Sequence, residues 1–276
     1  MGAKILTTAI HKGGEGKTTS TIQFAAYLAG EKNQKVCLID MDPSSNATIT
    51  VIDGPVSGLS VVDVLLGKTD LLSIMAKTRI PGLDLIPASN ELKGFSMAAA
   101  KEPSMEFRLL DLIEGNGLKE AYDFILIDSP PSLELLTVNA LAASEWFLVP
   151  LRCASYSVKG LVDLSAFVAK LKQRVTPNLK LLGIFITQFR GWNRLDRNIY
   201  ESIENYLLKG NQPLLKTIIR ESVVVRESIA ERLPVWKYNP KADVSRDYLL
   251  LCDEIFNKIG FCNQIAEQVS GGVNVG

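Results

Sequence analysis

The sequence predicts a single α/β domain built on a mostly parallel, twisted sheet with helices on both faces. Three observations lead there. Short β-branched runs alternate with longer helical patterns along the whole chain, the order expected of a sheet wound by crossover helices. Nearly all of those runs are apolar throughout, as strands covered on both faces must be. The first run ends in a glycine-rich loop followed at once by a helical pattern, KILTTAIHKGGEGKTTS, which is strand, loop and helix in immediate succession.

Taken in order, strands are expected at 4–10, 35–40, 83–87, 124–128, 146–150, 181–187 and 234–238. Helices are expected at 17–28, 106–113, 133–143, 158–173, 197–208, 223–231 and 242–259. A chain of 276 residues can bury one large core, and no Gly/Ser linker, internal repeat or charge block divides it. Residues 1–268 are therefore expected to form the domain, and 269–276, VSGGVNVG, a frayed tail with little to bury.

Thirty acidic and thirty basic residues balance. That argues against a dedicated nucleic-acid binder with a basic field over the whole molecule, and leaves local patches as the route to any DNA contact. The four cysteines, Cys37, Cys153, Cys252 and Cys262, lack CxxC spacing, and the one histidine, His11, cannot complete a zinc set. They read as reduced, buried thiols. No stretch reaches the ~20 apolar residues of a membrane span, and the start lacks a basic region followed by a long apolar stretch. A cytoplasmic protein is expected.

The glycine loop carries the chemistry. Successive backbone N–H groups must turn inward around the β- and γ-phosphates of a nucleotide, a path that side chains would block, and the helix start adds N–H donors and its positive dipole end. Lys12, Gly13, Gly14, Glu15, Gly16, Lys17, Thr18 and Thr19 are the candidate nucleotide contacts. Lys17 would neutralise phosphate charge and the Thr18 hydroxyl would ligate Mg²⁺. The domain is thus expected to be a P-loop NTPase using ATP and Mg²⁺. Two further strands end in acids: KVCLIDMDPSSNAT presents Asp40 and Asp42, and YDFILIDSPPSLELLTVNAL presents Asp128 ahead of Ser129-Pro130-Pro131. Strand C-termini are where parallel α/β sheets bind ligands, and Asp128 suits a Walker B carboxylate that holds magnesium through a water. Phosphoryl transfer needs such a cation clamp and an aimed water rather than a nucleophile.

With Lys12 ahead of it, the loop KGGEGKTT resembles the deviant Walker A loops of the ParA/Soj partition ATPases and MinD. The resemblance continues through DMDPSSNAT, set against a family pattern DxDPQGNAT, through VPLRCASYSVKGL at 149–161, and through 217–255. It implies a slow, partner-stimulated ATPase that forms an ATP-dependent homodimer with the nucleotides sandwiched between subunits. It also implies roles. Lys12 reaches the partner's phosphates, Asp42 orients the attacking water and Asp40 supports the magnesium site, making Lys12, Lys17 and Asp42 the catalytic set and Thr18, Asp40 and Asp128 the metal set. The segment 218–222 is implied to lie near the adenine base. Four residues depart from the pattern: Ser44 and Ser45 replace Gln and Gly, Arg152 stands where an uncharged residue is common, and Glu15 takes a position usually uncharged. A carboxylate there is unfavourable beside a triphosphate unless it points away or pairs with a cation.

Partition ATPases of this class bind DNA without sequence preference as ATP dimers, through basic residues of the C-terminal part. Arg190, Arg194, Arg197, Lys216, Arg220 and Arg226 are the candidates, diluted by Glu221 and Glu227. The resemblance therefore implies a nucleoid-associated protein that works with a ParB-like or other adaptor on a plasmid, a chromosome or a protein body such as a carboxysome. A membrane partner, as for MinD, is not expected, because NKIGFCNQIAEQVSGGVNVG has one lysine and no cationic face. Iron–sulfur relatives need paired cysteines, and Cys153 has no suitable companion. Two rivals remain: an ATP-dependent ligase or synthetase on the same scaffold, and a non-hydrolysing nucleotide sensor suggested by Glu15 alone.

Overall fold

The computed structural model describes residues 2–55, 58–100, 102–154, 157–191 and 194–261. Its strands are β1 (Lys4–Thr8), β2 (Val36–Asp40), β3 (Ala76–Lys77), β4 (Leu83–Ile86), β5 (Phe124–Asp128), β6 (Trp146–Arg152), β7 (Lys180–Phe189) and β8 (Leu214–Arg220). They form one sheet in the order β3-β4-β2-β5-β1-β6-β7-β8, parallel throughout except for β3 against β4. The helices are α1 (Lys17–Ala26), α2 (Asn46–Val51), α3 (Val61–Leu65), α4 (Phe95–Ala99), α5 (Arg108–Gly115), α6 (Leu118–Ala121), α7 (Leu135–Ala142), α8 (Ser157–Arg174), α9 (Arg194–Lys209), α10 (Val223–Ala230), α11 (Val235–Tyr238) and α12 (Asp243–Lys258). The frayed tail expected at 269–276, and Cys262, lie outside the described residues.

Strand alternation explains the layers. Successive residues of a strand face opposite sides, so Leu6, Leu38 and Leu126 pack with Phe24 of α1 and Phe256 of α12, while Ile5, Ile39, Ile125 and Ile127 pack with Leu109, Ile113 and Ala140 on the other face. A third apolar cluster joins Val149 and Ile184 of β6 and β7 to Leu164 of α8 and Ile203 of α9. Helix α1 continues into a π-helical turn at Tyr27–Glu31, where the Tyr27 ring stacks on Phe256 with centroids 5.9 Å apart. Phe256 also meets Phe124 edge-on at 5.6 Å, so one ring ties α12 to both the central sheet and the helix that follows the glycine loop.

The sheet order places the site. After β1 the chain builds β2 and β4 on one side, and later adds β6, β7 and β8 on the other, so the β1 end lies where the order reverses. Such a switch point opens a crevice at the strand C-termini. The register is specific: Thr8 of β1 pairs with Asp128 of β5, and Asp128 pairs with Asp40 of β2.

Several elements differ from expectation. Residues 235–238 form a helical turn rather than a strand: Pro234 precedes it as the N-cap residue with φ −58°, and Gln23 Oε1 accepts the Val235 N–H at 2.9 Å. Strand β8 had no counterpart in the sequence reading, because Lys216 and Arg220 interrupt its apolar run. It is an edge strand that pairs irregularly with β7, and edge strands carry charges freely. The short helices α2, α3 and α6 are too brief to show a 3.6-residue period. Truncating Phe256 to Ala should cost about 3–5 kcal/mol, as for other buried aromatic rings, measured by urea unfolding.

Candidate functional site

The loop between β1 and α1 is shaped by two glycines in the left-handed region, Gly14 at φ 77° and Gly16 at φ 91°, where other residues would be strained. A Cβ added at Gly13 or Gly14 would meet no atom within 4 Å, so the loop is open at these positions. The loop is tied from outside. Thr187 Oγ1 donates to the Glu15 carbonyl at 2.9 Å, Gln188 Nε2 donates to the Gly14 carbonyl at 2.9 Å, and Lys17 Nζ donates to the Lys12 carbonyl at 3.1 Å. Helix α1 starts at Gly16 with no side-chain cap and no acid in its first turn, leaving N–H donors and the positive dipole end available to an anion.

Lys17, Asp40 and Asp128 are buried together. Burial lowers the Lys17 pKa, opposed by the charges of Asp128, Asp42 and Glu15. Asp128 is fully buried, and neither carboxylate oxygen has a well-formed hydrogen bond. Burial, then the charge of Asp40, push its pKa well above the usual carboxylate range, and the nearby Thr18 hydroxyl only partly offsets them. Asp40 is pushed up to about 6 by burial, although both its oxygens are engaged: Oδ1 accepts from Asp42 N–H at 3.0 Å, and Oδ2 from Thr48 N–H at 2.9 Å and Thr48 Oγ1 at 2.8 Å. These contacts brace the loop after β2. Asp42 in turn accepts the Ser44 N–H at 2.8 Å. Ser45, where the pattern has glycine, adopts φ 55°.

The remaining candidates fall out as follows. Thr18 and Thr19 lie in the first turn of α1, half-buried. Glu15 is buried and turned away from the hollow, against Lys12 Nζ at 2.7 Å and the Arg152 N–H at 2.6 Å. Of the basic candidates, Arg190 is paired with Glu221 through two nitrogens. Arg220 is held by Asp247 at 2.7 and 3.0 Å and by Asp243 at 2.6 Å, so its charge is spent within the chain. Arg194, Arg197, Lys216 and Arg226 are exposed.

Two hollows are lined by candidate residues. One of about 160 Å³ is bounded by Gly16, Thr19, Thr187, Ile219, Arg220 and Tyr248, placing part of the segment 218–222 beside the loop. The other, about 540 Å³, lies over Asp42, Ser45, Ile49 and Pro130-Pro131, with Ile49 52% exposed. Sequence reasoning missed Thr187, Gln188, Tyr248 and the Asp243–Asp247 pair, which belong to no short motif. Among the described residues no group of three or more His, Cys, Asp or Glu side chains could hold a metal by itself. The residues do suit magnesium arriving with phosphates, as that ion binds through one or two carboxylates plus substrate oxygens: Asp128 is a buried carboxylate with no well-formed hydrogen bond, and the Thr18 hydroxyl stands beside it. Cys37, Cys153 and Cys252 are free and buried. No helix among the described residues is long and apolar enough to cross a membrane.

A family profile described as an AAA domain matches residues 3–181. The chromosome-partitioning ATPase Soj of Treponema pallidum is 34% identical over 93% of this chain and 98% of its own length. The chain belongs to the ParA/Soj family of partition ATPases. Among solved structures, a putative plasmid partition protein of Borrelia burgdorferi bound to AMPPNP shares the fold with a TM-score of 0.76 and 27% identity, over 93% of this chain and 98% of that one. Cobyrinic acid a,c-diamide synthase of Mycobacterium smegmatis, with an ATP analogue and magnesium, gives 0.79 and 26% identity over 91% and 93%. The ParA/Soj assignment agrees with a single eight-stranded P-loop domain.

The buried acids of this ParA/Soj-family site have a measurable signature. Both native pKa values are raised above the unfolded carboxylate range. The folded, nucleotide-free protein therefore binds protons more tightly than the unfolded chain; Asp40 adds stability as pH falls through about 6 and withdraws it as pH rises, and Asp128 acts in the same direction. Asp128→Asn should stabilise the nucleotide-free protein by about 1 kcal/mol at about pH 7.5 and shrink its pH dependence. The same variant should lose magnesium-dependent stabilisation by ATP, both effects being read from urea melts.

Proposed function

We propose that this chain binds MgATP, pairs with a second copy of itself around the two nucleotides, and uses slow, adaptor-stimulated hydrolysis to segregate or position a cargo on nucleoid DNA. The observation that carries the reading is the fully buried carboxylate of Asp128, which makes no well-formed hydrogen bond, beside Thr18, Lys17 and the glycine loop. Leaving such a carboxylate uncompensated is costly, and a site built this way is suited to a cation delivered with phosphates. In this reading Thr18 and Asp128 hold magnesium and Asp40 braces the loop that carries Asp42. Magnesium, when bound, neutralises charge on the phosphates. Lys17 and the backbone N–H groups of residues 13–19 bind and orient the triphosphate, Asp42 aims the water, and Lys12 serves the second subunit. The face over Asp42, Ile49 and Pro130-Pro131 is the pairing surface, residues 1–268 are the working unit, and a ParB-like or other adaptor sets the rate in the cytoplasm.

The DNA assignment shifts with the structure. Arg190 and Arg220 are neutralised by acids, which leaves Arg194, Arg197, Lys216 and Arg226 as the exposed cations for phosphate contact. ATP-dependent binding to nonspecific duplex should weaken steeply with salt. Arg194→Glu or Arg226→Glu should flatten that slope by about one for each phosphate contact removed, whereas Arg220→Glu should chiefly disturb folding and nucleotide binding. Identical salt titrations for wild type and the Arg194 and Arg226 variants would place the DNA surface elsewhere.

Lys17→Ala should abolish ATP binding measured calorimetrically. Asp42→Ala should keep ATP binding, hydrolyse at least about tenfold more slowly and accumulate as an ATP dimer in sedimentation; a monomer would refute its water-orienting role. One observation favours a second reading, in which the chain activates a carboxylate for amide synthesis: the likeness to the synthase noted above. That reading requires ADP release that depends on a carboxylate substrate and is indifferent to DNA.

A further inference from the structure

Lys12 has an anion within its own chain. Its ammonium lies 2.7 Å from Glu15 Oε1 and 3.4 Å from Ser157 Oγ. The Glu15 side chain is wholly buried. Its Oε2 accepts the Arg152 N–H at 2.6 Å, and Oε1 takes a long 3.4 Å bond from the Ser157 hydroxyl. The carboxylate thus fastens the glycine loop to the end of β6 and the start of α8, and Lys12 is its only cation among the ion pairs of the described residues.

The contact matters because the same ammonium cannot neutralise Glu15 and reach another subunit at once. Without Lys12, Glu15 would keep one amide donor and one long hydroxyl contact, a poor substitute for a counter-charge in a buried site. Packing does not immobilise the lysine, whose side chain is 34% exposed. The ion pair holds it. Two anions therefore compete for one ammonium: the fixed carboxylate of Glu15 and the phosphates of a second subunit.

We propose that Glu15 is an intramolecular latch on Lys12, holding the lysine within its own subunit and opposing nucleotide-dependent pairing until phosphates displace it. This rests on the paired-subunit reading above and adds a positioning residue that acts against pairing. A triphosphate carries more negative charge than a diphosphate and competes better for the ammonium, so the latch sharpens the distinction between ATP and ADP at the step of assembly.

Glu15→Gln tests the latch, because the amide keeps an acceptor for the Arg152 N–H and removes only the charge. Glu15→Ala serves as a second variant, and both are checked for folding by circular dichroism and thermal melting. In nucleotide-free protein, acetylation of Lys12 by an amine-reactive ester, followed by peptide mass spectrometry, should be faster in both variants than in wild type. With ATP, both should dimerise at about tenfold lower protein concentration in sedimentation velocity, and the gain should vanish when Lys12→Gln is added. Unchanged acetylation would overturn the latch. Faster acetylation with unchanged or weaker pairing would also overturn it, as would a gain that survives Lys12→Gln. If wild type, Glu15→Gln and Asp42→Ala all bind ATP yet remain monomeric, the paired-subunit reading fails, and the latch falls with it.

Discussion

Everything at this site follows from three parallel strands ending in register. Because β5 lies between β1 and β2, the last residues of all three meet, and two of them are acids: Asp128 opposite Thr8 on one side and Asp40 on the other. Parallel strands buried on both faces leave no water at their ends to solvate those carboxylates. The acids divide the problem differently. Asp40 satisfies itself on the backbone and hydroxyl of the loop it commands, while Asp128 has only the nearby Thr18 hydroxyl and no well-formed hydrogen bond. A fold that positions one braced and one unbraced carboxylate beside a buried lysine is prepared for a cation and a polyanion together, and for neither alone.

Much of this was legible in the sequence, for a physical reason. A buried parallel strand is an uninterrupted apolar run, and a run that stops at an acid before a turn announces both the strand and its functional end; VCLID and FILID do so. The glycine loop is legible because backbone geometry restricts it to glycine at 14 and 16. Illegible features depend on partners far along the chain. Nothing near Glu15 reveals that Arg152 and Ser157 will bury it, and Thr187 and Gln188 look like ordinary strand-end residues until β7 brings them to the loop. The turn at 235–238 carries Val, Trp and Tyr, residues that favour strands, yet Pro234 and the Gln23 side chain decide for helix, as tertiary context overrides propensity.

The charges of the C-terminal part teach a related lesson. Six basic residues along the sequence suggest a patch, but a patch exists only if acids do not answer it. Asp243 and Asp247 sit one helical turn apart at the start of α12 and grip Arg220 from the same face, as residues four apart must. Arg220 consequently joins a wall of the hollow beside Gly16, and the basic surface contracts to α9, α10 and the outer edge of β8.

The departures from the family pattern converge on the loops that must respond to nucleotide. Ser45 takes a left-handed conformation that glycine adopts freely and serine adopts at a penalty of roughly 1–2 kcal/mol, so the loop after β2 carries strain in the geometry described here. Glu15 works in the opposite sense, adding a bond that the glycine loop would otherwise lack. One change strains the loop bearing Asp42 and the other secures Lys12 within its own chain. The first lowers the threshold for leaving the resting arrangement and the second raises it. Asp40 braces the strained loop through Thr48 and shares its register with Asp128, and the charges of both Asp40 and Asp42 raise the Asp128 pKa, so the three acids and the loop after β2 form one electrostatic unit.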